Sequence, residues 1–179
     1  MATTPTRVMT FAEFEQLPNP KEGRYELAHG ELVSVPPPKW KHFAIQSRLR
    51  RVLESASEKL AFAVELEFAF RAVPDDYRIA DLALVSKQRW ESVDPDGYFC
   101  GAPELVVEVL SPANTATGLL DKETLCLENG CREFWVVDID RRQVKVSTPD
   151  GHTVAYRSGQ EIPRFFTSGA KLAVDAIFQ

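Results

Sequence analysis

The chain has 179 residues, a length that suits one domain and is too short for two of full size. With 44% hydrophobic and 26% charged residues, its composition is that of a globular protein and excludes a fibrous or largely disordered one. The net charge of −5 argues against a protein that coats nucleic acid through bulk electrostatics. We therefore predict a single domain over residues 1–179.

The sequence also carries signals about its compartment. No apolar run approaches the ~18 residues of a membrane helix, and residues 1–7 lack the charged and apolar regions of a secretory signal. Cys100, Cys126 and Cys131 form no CxxC pair, which suits a reducing compartment and gives no zinc-binding spacing. We expect a cytoplasmic protein that does not span a membrane.

The first third of the chain predicts a short helix, a hairpin and a long helix. Residues 10–17 begin with a capping sequence and end before a proline. Two strand-like runs, 24–27 and 31–35, flank a turn that contains glycine, and the prolines at 36–38 end this hairpin. Helical spacing of apolar residues then extends from 41 to about 59.

The start of this long helix is basic, because residues 39–51 contain five cations and no acid. Two lysines flank a tryptophan there, and together they offer charge for a nucleic-acid backbone and a surface for a base. A solvated basic face explains the same pattern. The candidate nucleic-acid-binding residues are Lys39, Trp40, Lys41, Arg48 and Arg51.

Residues 62–70 alternate between apolar and polar positions, which predicts a half-exposed strand. Its apolar side comprises Phe62, Val64, Leu66, Phe68 and Phe70. Residues 77–85 and 105–110 are apolar on nearly both faces, as in interior strands.

A helix over residues 118–128, a strand over 134–137 and a hairpin over 144–156 complete the pattern. This order predicts an α/β fold, with a mixed central sheet flanked by helices and with hairpins added at the N- and C-terminal ends.

Two acidic residues lie inside the most apolar predicted strands. Asp81 is the only charge in residues 79–85, and Glu108 is the only one in residues 105–110. Burying an unpaired carboxylate costs several kcal/mol, so each needs either an Arg or loop partner or a shared divalent cation. Mg²⁺ or Mn²⁺ takes hard oxygen ligands and leaves positions for a phosphate and a water molecule. Two acids in adjacent strands favour the metal.

Three other residues are candidates, each with a plain alternative. Lys122, near the start of the helix after the Glu108 strand, either steadies a phosphate or is a solvated surface lysine. His42 is either a general base or phosphate donor, or an amphipathic residue at a helix start. Glu26, beside the hairpin turn, either reaches the same cleft or is solvated. Walker-type loops, dinucleotide fingerprints and GxSxG motifs do not occur, which argues against ATP, NAD and serine-nucleophile chemistry.

Several segments together resemble a known family. They include MTFAEFEQLP at positions 9–18, APELVVEVLSP at 102–112 and GCREFWVVD at 130–138, with RYEL before Gly30 and His42 after the prolines. In order and spacing they are similar to the Uma-two (DUF820-type) endonuclease family of the PD-(D/E)xK superfamily. The resemblance covers nearly the whole chain, although Ala80 stands where a proline is usual.

This resemblance implies a restriction-endonuclease-like core in which Asp81 and Glu108 bind Mg²⁺ or Mn²⁺. It also implies that Lys122 replaces the lysine usually found two residues after the second acid, that His42 takes part in catalysis and that Glu26 lies at the site's periphery. The expected protein is a metal-dependent endonuclease that hydrolyses phosphodiester bonds of DNA, with a homodimer as a further option. The alternative is a catalytically inactive nuclease-like scaffold that binds nucleic acid or a protein partner.

Overall fold

The structure, a computed structural model, describes residues 8–57, 62–166 and 169–179. Its first elements are helix α1 (Phe11–Glu15), strands β1 (Arg24–Ala28) and β2 (Glu31–Val35), and helix α2 (Trp40–Ser57). β1 and β2 form an antiparallel hairpin, as predicted. Residues 1–7 and the predicted end of α2 near Lys59 lie outside the described residues.

Six strands form the central sheet of the described chain. In spatial order they are β3 (Phe62–Phe70), β4 (Arg78–Ser86), β5 (Leu105–Val109), β6 (Glu133–Asp138), β7 (Gln143–Ser147) and β8 (Thr153–Arg157). β5 and β6 are parallel and the other neighbours are antiparallel, so the sheet is mixed, as predicted. β7 and β8, predicted as a separate hairpin, extend this sheet because β7 pairs with β6 along its whole length.

The remaining elements connect the strands and close the chain. They are α3 (Lys87–Glu91), α4 (Ala116–Glu128), β9 (Glu161–Pro163), β10 (Lys171–Ala173) and α5 (Asp175–Phe178). α4 links the parallel strands β5 and β6, and the side chain of Thr115 caps its first turn. β9 and β10 form the small C-terminal pair. In the described ranges, no helix is both long and apolar enough to cross a membrane.

Two apolar cores lie on opposite faces of the sheet. The first is covered by α2, which contributes Ile45, Leu49 and Leu53 from its inner face. The second includes Cys126 of α4 and the side chains of the sheet that point the other way, such as Phe134 of β6. Strands covered on both faces explain the nearly continuous apolar runs in the sequence.

β3 does not keep one apolar side along its length. Val64 and Leu66 pack in the first core, whereas Phe68 and Phe70 pack in the second. Between them Glu67 has a φ of 47°, a left-handed conformation that interrupts the alternation of side chains. The prediction of one apolar side is therefore wrong beyond Leu66, because it assumed extended backbone at every residue. The side chain of Phe62 lies outside the described part.

Candidate active site

Asp81 and Glu108 lie on neighbouring strands at the point where these strands separate. The antiparallel ladder between β4 and β5 ends at the pair Leu82 and Val107. In this register the next pair would join Asp81 to Glu108, but no ladder pair forms there. Both acids instead line a cleft that begins where the strands part.

The Asp81 carboxylate is held from β5 and from α2. Its Oδ2 atom accepts a hydrogen bond of 2.7 Å from the backbone N–H of Val109. Its Oδ1 atom accepts one of 3.1 Å from Gln46 Nε2 and lies 3.2 Å from His42 Nε2. Sequence analysis identified His42 but missed Gln46, which lies one helical turn further along α2 and is 1% exposed. The signal was a polar residue inside the apolar stripe of the helix.

Lys122 is buried, and its side chain extends from α4 to Glu108 and Glu26. Its Nζ atom lies 2.9 Å from Glu108 Oε1 and donates a hydrogen bond of 3.0 Å to Glu26 Oε1. It also donates one of 2.7 Å to the backbone carbonyl of Ile79 on β4. Glu26 accepts a further hydrogen bond of 2.8 Å from the Ile79 N–H. Because Lys122 and Glu26 are 6% and 7% exposed, neither is the solvated surface residue considered as an alternative.

A buried arginine extends this network to the surface. Arg78 Nε donates a hydrogen bond of 2.6 Å to Asp76, and its Nη2 atom donates one of 2.7 Å to Asp121. Its Nη1 atom lies 3.8 Å from Glu26 Oε2. At the outer end, His29 Nε2 lies 2.7 Å from Asp121. Sequence analysis did not single out Arg78, a charge at the edge of an apolar strand.

The electrostatics of the site follow from burial and close charges. Burial raises the pKa of the Glu108 carboxyl to about 8, with Lys122 opposing and Asp81 adding to the rise. Burial alone would lower the pKa of Lys122, but the carboxylates of Glu108 and Glu26 raise it, so the ammonium form persists. Burial alone would also lower the pKa of His42. Its contact with Asp81 outweighs that effect and raises the pKa above 6.5.

The predicted catalytic and peripheral residues meet in one cleft of about 1510 Å³. The predicted residues that line this cleft are Glu26, His42, Asp81, Glu108 and Lys122. Among the described residues, eight carboxylate side chains and six Lys or Arg side chains line the cleft. The cleft is therefore not a basic groove, and a polyanion would meet more negative than positive groups there.

The predicted nucleic-acid-binding residues separate into two groups. Lys39 and Lys41 line the cleft. Trp40, Arg48 and Arg51 are not part of its lining and belong to α2 outside it. Trp40 and Arg51 are exposed, and Arg48 is half-buried. The structure thus brings the two lysines to the acidic residues and leaves the other three beside the cleft.

The donor set fits a hard divalent cation that keeps most of its water. Among described residues, no group of three or more His, Cys, Asp or Glu side chains is arranged to hold a metal ion. Mg²⁺ commonly takes only one or two protein carboxylates, which Asp81 and Glu108 provide. Glu108 Oε1 is buried without an aligned hydrogen bond, so this oxygen retains capacity for a ligand.

Comparison with known proteins identifies a matching family model and a similar solved structure. A family model called Uma2, described as "Putative restriction endonuclease", matches residues 11–175. The chain is also similar to a solved structure described as a "putative nuclease belonging to DUF820" from Anabaena variabilis. The two share 25% identity with a TM-score of 0.83, over 95% of this chain and 97% of the other. No curated protein sequence matches the chain.

Proposed function

Because the chain belongs to the Uma2 family, we propose that it is a metal-dependent nuclease that hydrolyses phosphodiester bonds of DNA. The observation that carries this proposal is that Asp81 and Glu108 line one cleft where the β4–β5 ladder ends, with the buried Lys122 in contact with Glu108. The chain shares its restriction-endonuclease-like fold with the solved DUF820 structure, and this fold supports the same chemistry.

Asp81 and Glu108 would hold the cation, Mg²⁺ or Mn²⁺. Their side chains come from adjacent strands, and hydrogen bonds from Val109 and Gln46 fix the orientation of Asp81 before any ligand arrives. Such an ion supplies Lewis-acid polarisation of the phosphate and activation of a water molecule.

Lys122, which contacts Glu108, and His42, which contacts Asp81, would both act on the phosphate. Lys122 stays protonated between two carboxylates, so it supplies fixed positive charge rather than a base. His42 is 3.2 Å from Asp81, which orients its ring and favours the protonated form. It can therefore donate a hydrogen bond or a proton to a phosphate oxygen in the cleft.

Lys39, Lys41, Arg48 and Arg51 would position the DNA backbone. Contacts from lysine and arginine to phosphates fix the position of a nucleic acid without reading its sequence. The two lysines lie at the cleft and the two arginines further along α2, so the backbone would approach the acids along this helix.

Cleavage of plasmid and single-stranded DNA with Mg²⁺ and then Mn²⁺ tests the proposal. We expect Asp81→Asn and Glu108→Gln each to reduce cleavage by about 100-fold or more, since Lewis-acid catalysis contributes several kcal/mol. Asp150→Asn is the matched control, because Asp150 is exposed in the turn between β7 and β8. Full cleavage by either site variant would refute the assignment of the site.

Cation binding is measured separately from cleavage. A ligand present at about 100 times its dissociation constant adds about 2.7 kcal/mol to the free energy of unfolding. We expect the cation to raise the melting temperature of the wild-type chain and of Asp150→Asn, but not of the two site variants. A wild-type chain with neither cleavage nor stabilisation by the cation would favour the inactive scaffold.

A further inference from the structure

The start of α2 presents an uncovered pair of aromatic rings. Trp40, its first residue, is 79% exposed, more than any other large hydrophobic residue in the described chain. Phe43 is 42% exposed, and the centroids of the two rings are 6.1 Å apart. The buried face of the same helix points elsewhere, through Ile45 and Leu49. These rings are therefore not part of either core.

The ring pair lies beside cations that face the cleft. Lys39 and Lys41 flank Trp40 in the chain, and both line the cleft. Lys41 pairs with Asp140 at 2.6 Å, but both side chains are largely exposed, and such pairs contribute about 0–1 kcal/mol. Both lysines are therefore available to phosphates that pass the rings.

We infer that the Trp40 ring stacks on unpaired bases, so that DNA with single-stranded segments is the preferred substrate of this cleft. The inference rests on the proposed function for the choice of DNA. Lysine contacts to phosphate serve single and double strands alike. A stacking surface adds affinity only where a base has a free face, and in a duplex each base face already stacks on its neighbours.

The charge and size of the surface favour a nucleic acid over a protein. Residues 39–51 carry five cations and no acid, which complements a polyanion. Two aromatic side chains bury at most about 500 Å² together, whereas a stable protein interface needs about 800 Å² per partner. The rings alone are thus too small for a stable contact with a second copy.

Fluorescence anisotropy tests the inference without cleavage. The probes are a fluorescein-labelled single-stranded oligonucleotide and its duplex, at low salt with EDTA. We expect Trp40→Ala to weaken binding of the single strand by about 5- to 150-fold and binding of the duplex by less than about 2-fold. Trp40→Phe, which keeps an aromatic face, should retain most of the single-strand affinity. Trp90→Ala is the control, since Trp90 is a second exposed tryptophan, at 42%, but belongs to α3.

Several results would overturn the inference. They are an unchanged single-strand affinity in Trp40→Ala, an equal loss for the duplex, or an equal loss in Trp90→Ala. A light-scattering result in which Trp40→Ala converts a dimer to a monomer would assign the rings to a second copy instead. The proposed function fails on a different result, because it requires cleavage that Asp81→Asn abolishes, whereas this assay records only binding.

Discussion

Glu108 links the stability of the protein to pH. Its pKa is raised from 4.5 to about 8, mainly by burial, so the folded chain binds this proton more tightly than the unfolded chain does. The associated stability is fully present below pH 4.5 and is lost as the pH rises to about 8. We expect the free energy of unfolding without metal to fall across this interval, and Glu108→Gln to remove much of the fall. Urea titrations at several pH values measure it, and an unchanged pH dependence in Glu108→Gln would contradict the assignment.

Lys122 compensates the buried carboxylate of Glu26, and that of Glu108 when it is ionised, so its removal should cost stability as well as the proposed activity. Lys122→Met keeps the length of the side chain but removes the cation of Glu108 and the nearer of the two cations beside Glu26. Breaking a buried pair in this way typically costs about 3–5 kcal/mol. Adding Glu26→Gln should recover part of the loss, since it removes a buried carboxylate that has lost its nearer cation.

A matched exposed pair provides the control for Lys122→Met. Lys171 and Glu161 lie 3.4 Å apart and are more than half exposed, so Lys171→Met should cost about 1 kcal/mol or less. Equal effects of the two substitutions in urea denaturation would show that the Lys122 contacts are no more important than surface pairs.

The sequence singled out two acids that the structure brings to one cleft, but it did not single out their partners. Asp81 and Glu108 were recognisable because a single charge inside an apolar strand must be compensated. Gln46 is polar within an apolar helical stripe, but its partner Asp81 cannot be read from that pattern. Arg78 was not singled out, because its contacts with Glu26 and Asp121 join distant parts of the chain. Helical and strand periodicity describe neighbours along an element, and they carry no information on which elements meet.

At the scale of an element, the irregular point of β3 makes a distinct prediction. Glu67 lies in the left-handed region, which costs about 1–3 kcal/mol for most residues, less for asparagine and most for β-branched ones. Glu67→Val should therefore be less stable than Glu67→Asn by about 1–3 kcal/mol. Both variants lose the ion pair with Arg24, so the difference isolates the backbone. Thermal unfolding provides the comparison, and equal stabilities would mean that β3 becomes regular in the variants.

The elements themselves were largely predictable, and their irregular points were not. α2, β4, β5 and α4 match the predicted elements closely because each has a strong apolar pattern and clear end signals. The change of apolar face at Glu67 in β3 has no such signal, since glutamate is not a residue that favours the left-handed region. The break in the β4–β5 ladder is equally invisible, because it depends on the pairing of two strands.

For the whole molecule, the charge distribution sets how DNA binding depends on salt. The cations proposed to contact the backbone are Lys39, Lys41, Arg48 and Arg51, and the cleft beside them is rich in carboxylates. Four phosphate contacts predict a slope of log K against log salt no steeper than about −3.6 on duplex DNA. Lys39→Ala should reduce that slope by about 0.9. Anisotropy at several salt concentrations measures it, and a tight complex that is insensitive to salt would contradict this picture.

The assembly of the molecule remains a prediction. The family resemblance left a homodimer as a further option, and β3 lies at one edge of the central sheet of the described chain. Light scattering of the wild-type chain tests whether a dimer forms.

The exposure of Trp40 also has an optical consequence. The chain has three tryptophans, of which Trp135 is fully buried, Trp90 is partly exposed and Trp40 is mostly in water. Their indole emission should differ in wavelength and in accessibility to a soluble quencher such as iodide. In the Trp90→Phe variant, the quenchable fraction of the fluorescence would come from the rim of the cleft. Quenching of Trp40 fluorescence would therefore report the binding of a ligand at that rim, without a dye on either partner.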